Sequence, residues 1–186
     1  MVKTCTITLK SLSPYAQSRY HDTPKLEREQ PDAWEARTWE NKAHFGADGM
    51  VFIPPMALAI TIKEACKFLN IKIPGRRNET WTKHFESGVL VTTPMNLGVN
   101  IKDVKKSVIR CSSDGTVGGK SKVTRYFPTI DEWKGSAEVV ILDDMITPEI
   151  FSEVLVTAGN LIGMGAFRVR NRGYFGRFEV VSIKWK

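Results

Sequence analysis

Cysteine and histidine are scarce in this chain, with three of each among 186 residues. Cys5, Cys66 and Cys111 lie too far apart for a metal-ligand spacing, and their odd number makes no disulfide framework. Cys5 and Cys66 fall in apolar-periodic segments and read as small core residues. His21, His44 and His84 have no partner at a catalytic spacing, and no serine sits in a nucleophile elbow. Asp143-Asp144 are neighbours at a strand end and face opposite ways, so they form no paired metal site. No catalytic residue, metal or cofactor is therefore assigned. No apolar run approaches the roughly 18 residues of a membrane-spanning helix, and Met1-Val2-Lys3-Thr4 opens no signal peptide. The expectation is a soluble protein of a reducing compartment, the cytoplasm (a host's, if the chain is viral).

Charge is abundant but unevenly placed. The chain carries a net +7. Lys102 to Arg125 holds seven basic residues and two acids, and Gly163 to Lys186 holds six basic residues and one acid. Between these windows, Asp131 to Glu153 is acidic. Segregated charge creates a field, and a basic field draws polyanions.

The periodicities define the elements. Val2 to Leu12 alternates, with Cys5, Ile7 and Leu9 on one face and Thr4, Thr6, Thr8 and Lys10 on the other, which predicts a half-buried strand. A polar loop, Ser13 to Pro31, follows. Thr38 to Phe45 and Met50 to Ile53 flank Gly46-Ala47-Asp48-Gly49, a pattern that predicts a hairpin. Pro55 suits a first helical turn, and Leu58, Ile62, Ala65, Cys66 and Leu69 recur at helical spacing, so a helix is expected from Pro55 to Leu69. Strands are expected at Gly88 to Thr92 and Ser107 to Cys111. The nearly continuous apolar run Ala137 to Leu142 predicts a central strand covered on both faces. Thr147 supplies an N-cap and Pro148 the first position of a second helix, which Gly163 ends. A last strand, Arg177 to Trp185, slips phase at Val180-Val181 and so predicts a bulge. This order predicts an α+β, ferredoxin-like antiparallel sheet with two helices, an inserted β-hairpin and long basic loops. One domain is expected over 1–186, with insertions at about 13–53 and 71–135.

Four segments carry binding chemistry. The strongest is Gly163 to Phe178, where Gly163, Gly165, Gly173 and Gly176 alternate with Arg168, Arg170, Arg172 and Arg177, and with Phe167, Tyr174 and Phe175. Glycine permits close backbone approach, arginine grips phosphate through a planar fork, and aromatic rings stack on unpaired bases. The loop follows a helix instead of opening one, so it is no helix-N-terminus phosphate cradle. The second is the basic, glycine-rich stretch Lys102 to Arg125, with Lys120, Lys122 and Arg125. The third is Arg76 and Arg77, followed by Trp81, His84 and Phe85. The fourth is Tyr15 to His21, with Tyr15, Arg19, Tyr20 and His21. Together they point to single-stranded RNA or DNA as the partner.

The run FIPPMALAITIKEACKFL, Phe52 to Leu69, with a late GxGxFRxxxxGYFGRF, Gly163 to Phe178, resembles the RAMP superfamily of CRISPR-associated proteins, its backbone-subunit branch most of all. The resemblance implies a modified RNA-recognition-motif fold, backbone contacts to single-stranded RNA, and side-by-side assembly as a homo-oligomer or a ribonucleoprotein subunit. It singles out Gly163, Gly165, Arg168, Gly173, Gly176, Arg177 and the helix entry at Pro54. The chain departs from the branch in its shortness and in Pro55-Met56-Ala57, where the branch carries a glycine followed by serines. A stand-alone or viral relative fits the same features. Two other readings stay open: a metal-independent endoribonuclease drawing on His21, His44, Tyr20 or Lys120, and a viral protein-binding module that mimics a backbone subunit.

Overall fold

A computed structural model describes residues 2–113 and 121–186. The elements follow in chain order as β1 (Lys3–Ser11), β2 (Tyr15–Ala16), α1 (Pro31–Thr38), β3 (Met50–Ile53), α2 (Pro55–Leu69), α3 (Thr82–Gly88), β4 (Val89–Val91), β5 (Met95–Asn100), β6 (Lys105–Ser112), β7 (Lys122–Ile130), β8 (Lys134–Ile141), α4 (Pro148–Thr157) and β9 (Phe178–Trp185).

The main sheet runs β4-β8-β1-β9 and is antiparallel throughout. β1 connects through α2 to β4, two strands away, with β8 between them. β8 connects through α4 to β9, with β1 between them. Two interleaved β-α-β units of this kind are the ferredoxin-like arrangement, the one expected from the order of elements. The alternation in β1 sets which face is inside. Cys5, Ile7 and Leu9 are buried and sit opposite Val139, Ala137 and Gly135 of β8. α2 covers this face with Leu58, Ile62, Ala65 and Cys66, and α4 with Phe151, Val154 and Leu155. Each such large apolar side chain contributes about 1.5–3 kcal/mol by leaving water.

Local signals act where they were expected. α2 begins at Pro55 and ends at Asn70 in the left-handed region. The Thr147 hydroxyl accepts the Ile150 N–H at 3.4 Å and caps α4. A π-helical turn, Ala158–Ile162, prolongs α4 before Gly163 stops it at φ +71°. Thr8 lies opposite Ser182 but Leu9 opposite Val180, so Val181 is the extra residue of a bulge.

Two expectations need correction. β8 is central in the sheet, yet only one of its faces lies on the core: Leu142, just past its end, is 53% exposed. The apolar run there marks an interior strand position and not a second covering layer. The stretch from Thr38 is helical up to Lys42, because Pro31 pre-sets a helical turn and α1 runs on into a 3-10 turn, Trp39–Lys42. The Gly46–Gly49 turn does form, but Phe45 and Val51 make a lone bridge and β3 takes β5 as its partner.

A smaller sheet, β2-β7-β6, stands beside the first. Its β6–β7 hairpin pairs from Lys105↔Thr129 out to Ser112↔Lys122, longer than the strand expected at Ser107 to Cys111. Lys120 lies outside the described residues.

Candidate nucleic-acid interface

The arginine–glycine loop is folded tightly onto its own chain. The Met164 N–H donates to the Gly176 carbonyl at 3.0 Å, the Phe175 N–H to Phe167 at 3.1 Å, and the Gly176 N–H to Pro14 at 2.8 Å. The Ala166 N–H reaches Ala16 of β2 at 2.8 Å. Glycine is required for this closeness. At Gly176, φ is +82° and a Cβ would stand 2.0 Å from the Met164 carbonyl oxygen; at Gly165, φ is +81° and a Cβ would stand 2.2 Å from that of Ala16. Gly163 is buried and Gly173 half-buried in the same packing. The close approaches these glycines permit are therefore to the protein's own backbone.

The side chains of the loop divide by direction. Arg168 donates to Glu64 of α2 at 2.8 Å with 17% of its side chain exposed, and so ties the loop to the helix. Phe167 packs edge-on against Phe127 of β7 at 5.3 Å. The Arg170 guanidinium lies 5.4 Å from the Phe68 ring centroid while the residue remains exposed. Arg177 donates to the Asn160 carbonyl at 3.1 Å from an exposed position. Arg172 is exposed, Tyr174 is 63% exposed, and Phe175 is half-buried against it. Arg170, Arg172, Tyr174 and Arg177 form the outward surface of the loop.

Phe167 shares a cavity with a joint that sequence reading missed. Glu35 of α1 is buried, and its carboxylate receives Lys42 at 2.7 Å, Arg125 of β7, and the Tyr126 backbone N–H at 3.2 Å. Lys42 also donates to the Tyr126 carbonyl at 3.0 Å. Burial by itself raises the Glu35 carboxyl, but the hydrogen bonds from Lys42, Arg125 and Tyr126 outweigh it and hold the group below the usual carboxylate range. The joint borders a cavity of about 510 Å³, which is also lined by Arg19, Tyr20, His21, Trp34, Phe127 and Phe167. Three of the four sequence candidates thus meet here: the Arg19–Tyr20 segment, the hairpin through Arg125, and the arginine loop through Phe167. Lys122 lies farther out on the hairpin, exposed, and donates to the Ser112 hydroxyl at 3.0 Å.

Two expected contacts lie elsewhere. Tyr15 is 2% exposed, its ring against Trp133, and burial pushes its phenol up, with a hydrogen bond to Gln17 acting in the opposite sense. It belongs to the core and presents nothing to a strand. Arg76 pairs with Glu79 at 2.6 Å, next to an exposed Arg77. That segment adjoins His84, which bonds Asp143 just past the Lys3 end of the sheet, whereas the arginine loop bonds Ser13 and Pro14 past the Ser11 end. The nine residues of β1 separate the two, about 30 Å at the rise of an extended strand. The open face of the main sheet carries Thr4, Thr6, Thr8 and Lys10 of β1, facing Ser136 and Glu138 of β8 and Ser182 and Lys184 of β9, without an aromatic ring among the described residues. Base stacking on that sheet face has no ring to use.

Two solved structures share this architecture. The crystal structure of Cmr6 from Pyrococcus furiosus matches with a TM-score of 0.52 at 12% identity, over 97% of this chain and 98% of that one. A chain of the cryo-EM structure of the type III-B Cmr-beta bound to cognate target RNA matches with a TM-score of 0.52 at 11% identity. The fold is RAMP-like. The RAMP-like match to the Cmr-beta chain covers 99% of this chain and 60% of that one, so this chain spans well under two thirds of its length. No family model and no curated protein matches the sequence.

Proposed function

We propose that this protein binds single-stranded nucleic acid, RNA in the first instance, along the surface formed by the arginine loop, the β6–β7 hairpin and the Arg19–Tyr20 segment. One observation carries the reading. Cations and aromatic rings from three segments remote in sequence, Arg19 with Tyr20, Arg125 with Phe127, and Phe167 at the start of the arginine loop, line one cavity. Phosphates need the cations, and unpaired bases need the rings. The RAMP-like fold adds to this, since a structure sharing it was determined with target RNA bound. Arg170, Arg172 and Arg177 contact the phosphate backbone, while Arg168 holds the loop in place through Glu64. The exposed surface beside the loop leaves room for further copies along the strand.

The test is fluorescence anisotropy of labelled 20-nucleotide RNA and DNA strands at one fixed salt concentration. Arg170→Ala combined with Arg172→Ala is expected to weaken binding of both strands at least tenfold, with the melting temperature unchanged. Unaltered affinity in the double variant removes the arginine loop from the site. No affinity of the parent protein for any strand removes the function.

A further inference from the structure

The cavity bordered by Glu35, Lys42 and Arg125 is lined by aromatic rings as well as by cations. Its volume, about 510 Å³, lies within the range of small-ligand pockets, roughly 300–1,000 Å³. Two aromatic pairs are among its lining residues. The His21 and Trp34 rings are stacked, with centroids 5.0 Å apart and planes at 27°. The Trp34 indole N–H donates to the Thr23 carbonyl at 2.9 Å and the His21 Nδ1 bonds the Thr23 hydroxyl at 3.1 Å, so both rings are held in place. Phe127 and Phe167 meet edge to face at 5.3 Å. Cations supply the polar part: Arg19 is exposed, and Arg125, although it binds Glu35, keeps 41% of its side chain exposed. Tyr20, 86% exposed, stands at the mouth.

We infer that this cavity takes the base of one nucleotide of the bound strand against its aromatic rings, with that nucleotide's phosphate on Arg19 and Arg125. The inference rests on the single-strand reading above and goes beyond it by fixing where a base leaves the strand. A bare phosphate needs only the cations and leaves the rings unused. A planar base fills the space and recovers stacking worth about 1–3 kcal/mol. The ring pairs come from elements held by hydrogen bonds and by the buried ion pair, so little ordering remains to be done when the base enters.

The chain has five tryptophans, so the ¹⁵N indole spectrum is simple, and a Trp34→Phe variant assigns the reporter signal. The probes are a 12-nucleotide oligouridylate, uridine and adenosine 5′-monophosphates, and inorganic phosphate, with strand affinity followed in parallel by anisotropy. The strand and both mononucleotides are expected to shift the Trp34 signal, and inorganic phosphate is not. Arg19→Ala, at an exposed position, is expected to weaken mononucleotide binding about tenfold without moving the melting temperature. A strand that binds by anisotropy but leaves the Trp34 signal in place overturns the base site and spares the strand-binding reading. Inorganic phosphate that reproduces the full shift overturns it in favour of a phosphate site alone. A strand with no affinity overturns both readings.

Discussion

The backbone of Tyr126 is completed by Lys42. The ammonium donates to the Tyr126 carbonyl at 3.0 Å while its ion-pair partner Glu35 accepts the Tyr126 N–H at 3.2 Å. A charged pair occupies the place a neighbouring strand takes in a β-ladder, and β7 is satisfied there without another strand.

This joint predicts a stability effect with a defined pH dependence. Glu35→Gln leaves Lys42 buried without its counter-charge, and breaking a buried pair in this way costs about 3 kcal/mol or more. The folded carboxyl titrates below its unfolded value, near 4.3. Its contribution is therefore complete above the unfolded value and is lost as pH falls through the folded one. Urea unfolding is expected to separate parent and variant widely at pH 7, and the gap to narrow below about pH 4.

The packing of the arginine loop predicts a separation between glycine and arginine variants. Gly176→Ala puts a Cβ against the Met164 carbonyl at a left-handed φ and is expected to cost about 2–3 kcal/mol. Arg172→Ala removes an exposed side chain and is expected to stay within about 0.5 kcal/mol. Thermal unfolding of the two variants without ligand checks this.

Salt dependence distinguishes the arginines. Withdrawing one arginine from a phosphate lowers the slope of log K against log salt by about one. Arg172→Ala and Arg177→Ala are each expected to show that change at unaltered stability. Arg168→Ala is expected to lower the melting temperature instead, because Glu64 is left without its partner.

Thiol chemistry reports on the cavity. Burial pushes Cys5 to about 11 and Cys66 to about 12, while Cys111 is half-buried at the cavity. One fast-reacting thiol is expected with an aromatic disulfide reagent in the native protein, with Cys111→Ser abolishing it. An oligonucleotide is expected to slow that reaction; an unchanged rate places the strand away from the cavity.

Much of the frame was readable because its signals are local. The spacing of Leu58, Ile62 and Ala65, the Thr147-Pro148 cap and the slip at Val180-Val181 each act over a few residues. α1 was hidden because its sequence offers a surface helix few apolar positions and it carries no side-chain cap. The Glu35–Lys42–Arg125 joint was hidden for another reason: Arg125 joins it from 90 residues away, and each member alone looks like a solvated charge. Glycine in the arginine loop was legible as a need for close approach, but not as approach toward Ala16 and Met164. That distinction depends on which segment β2 brings alongside.

The two long edges of the β6–β7 hairpin are protected in unlike ways. On β7 the edge is covered at Tyr126 by the Glu35–Lys42 pair. On β6 the exposed Lys105, Lys106 and Arg110 flank Val108, itself 59% exposed; Lys105 pairs with Asp131 and Lys106 donates to the Ala36 carbonyl, and exposed charge on the edge discourages a second chain from adding there. Ionic strength weakens repulsion between exposed charges far more than a buried ion pair. Colloidal stability is thus lopsided: concentrated salt, or a polyanion that neutralises the lysines, opens β6 to strand addition and leaves β7 closed.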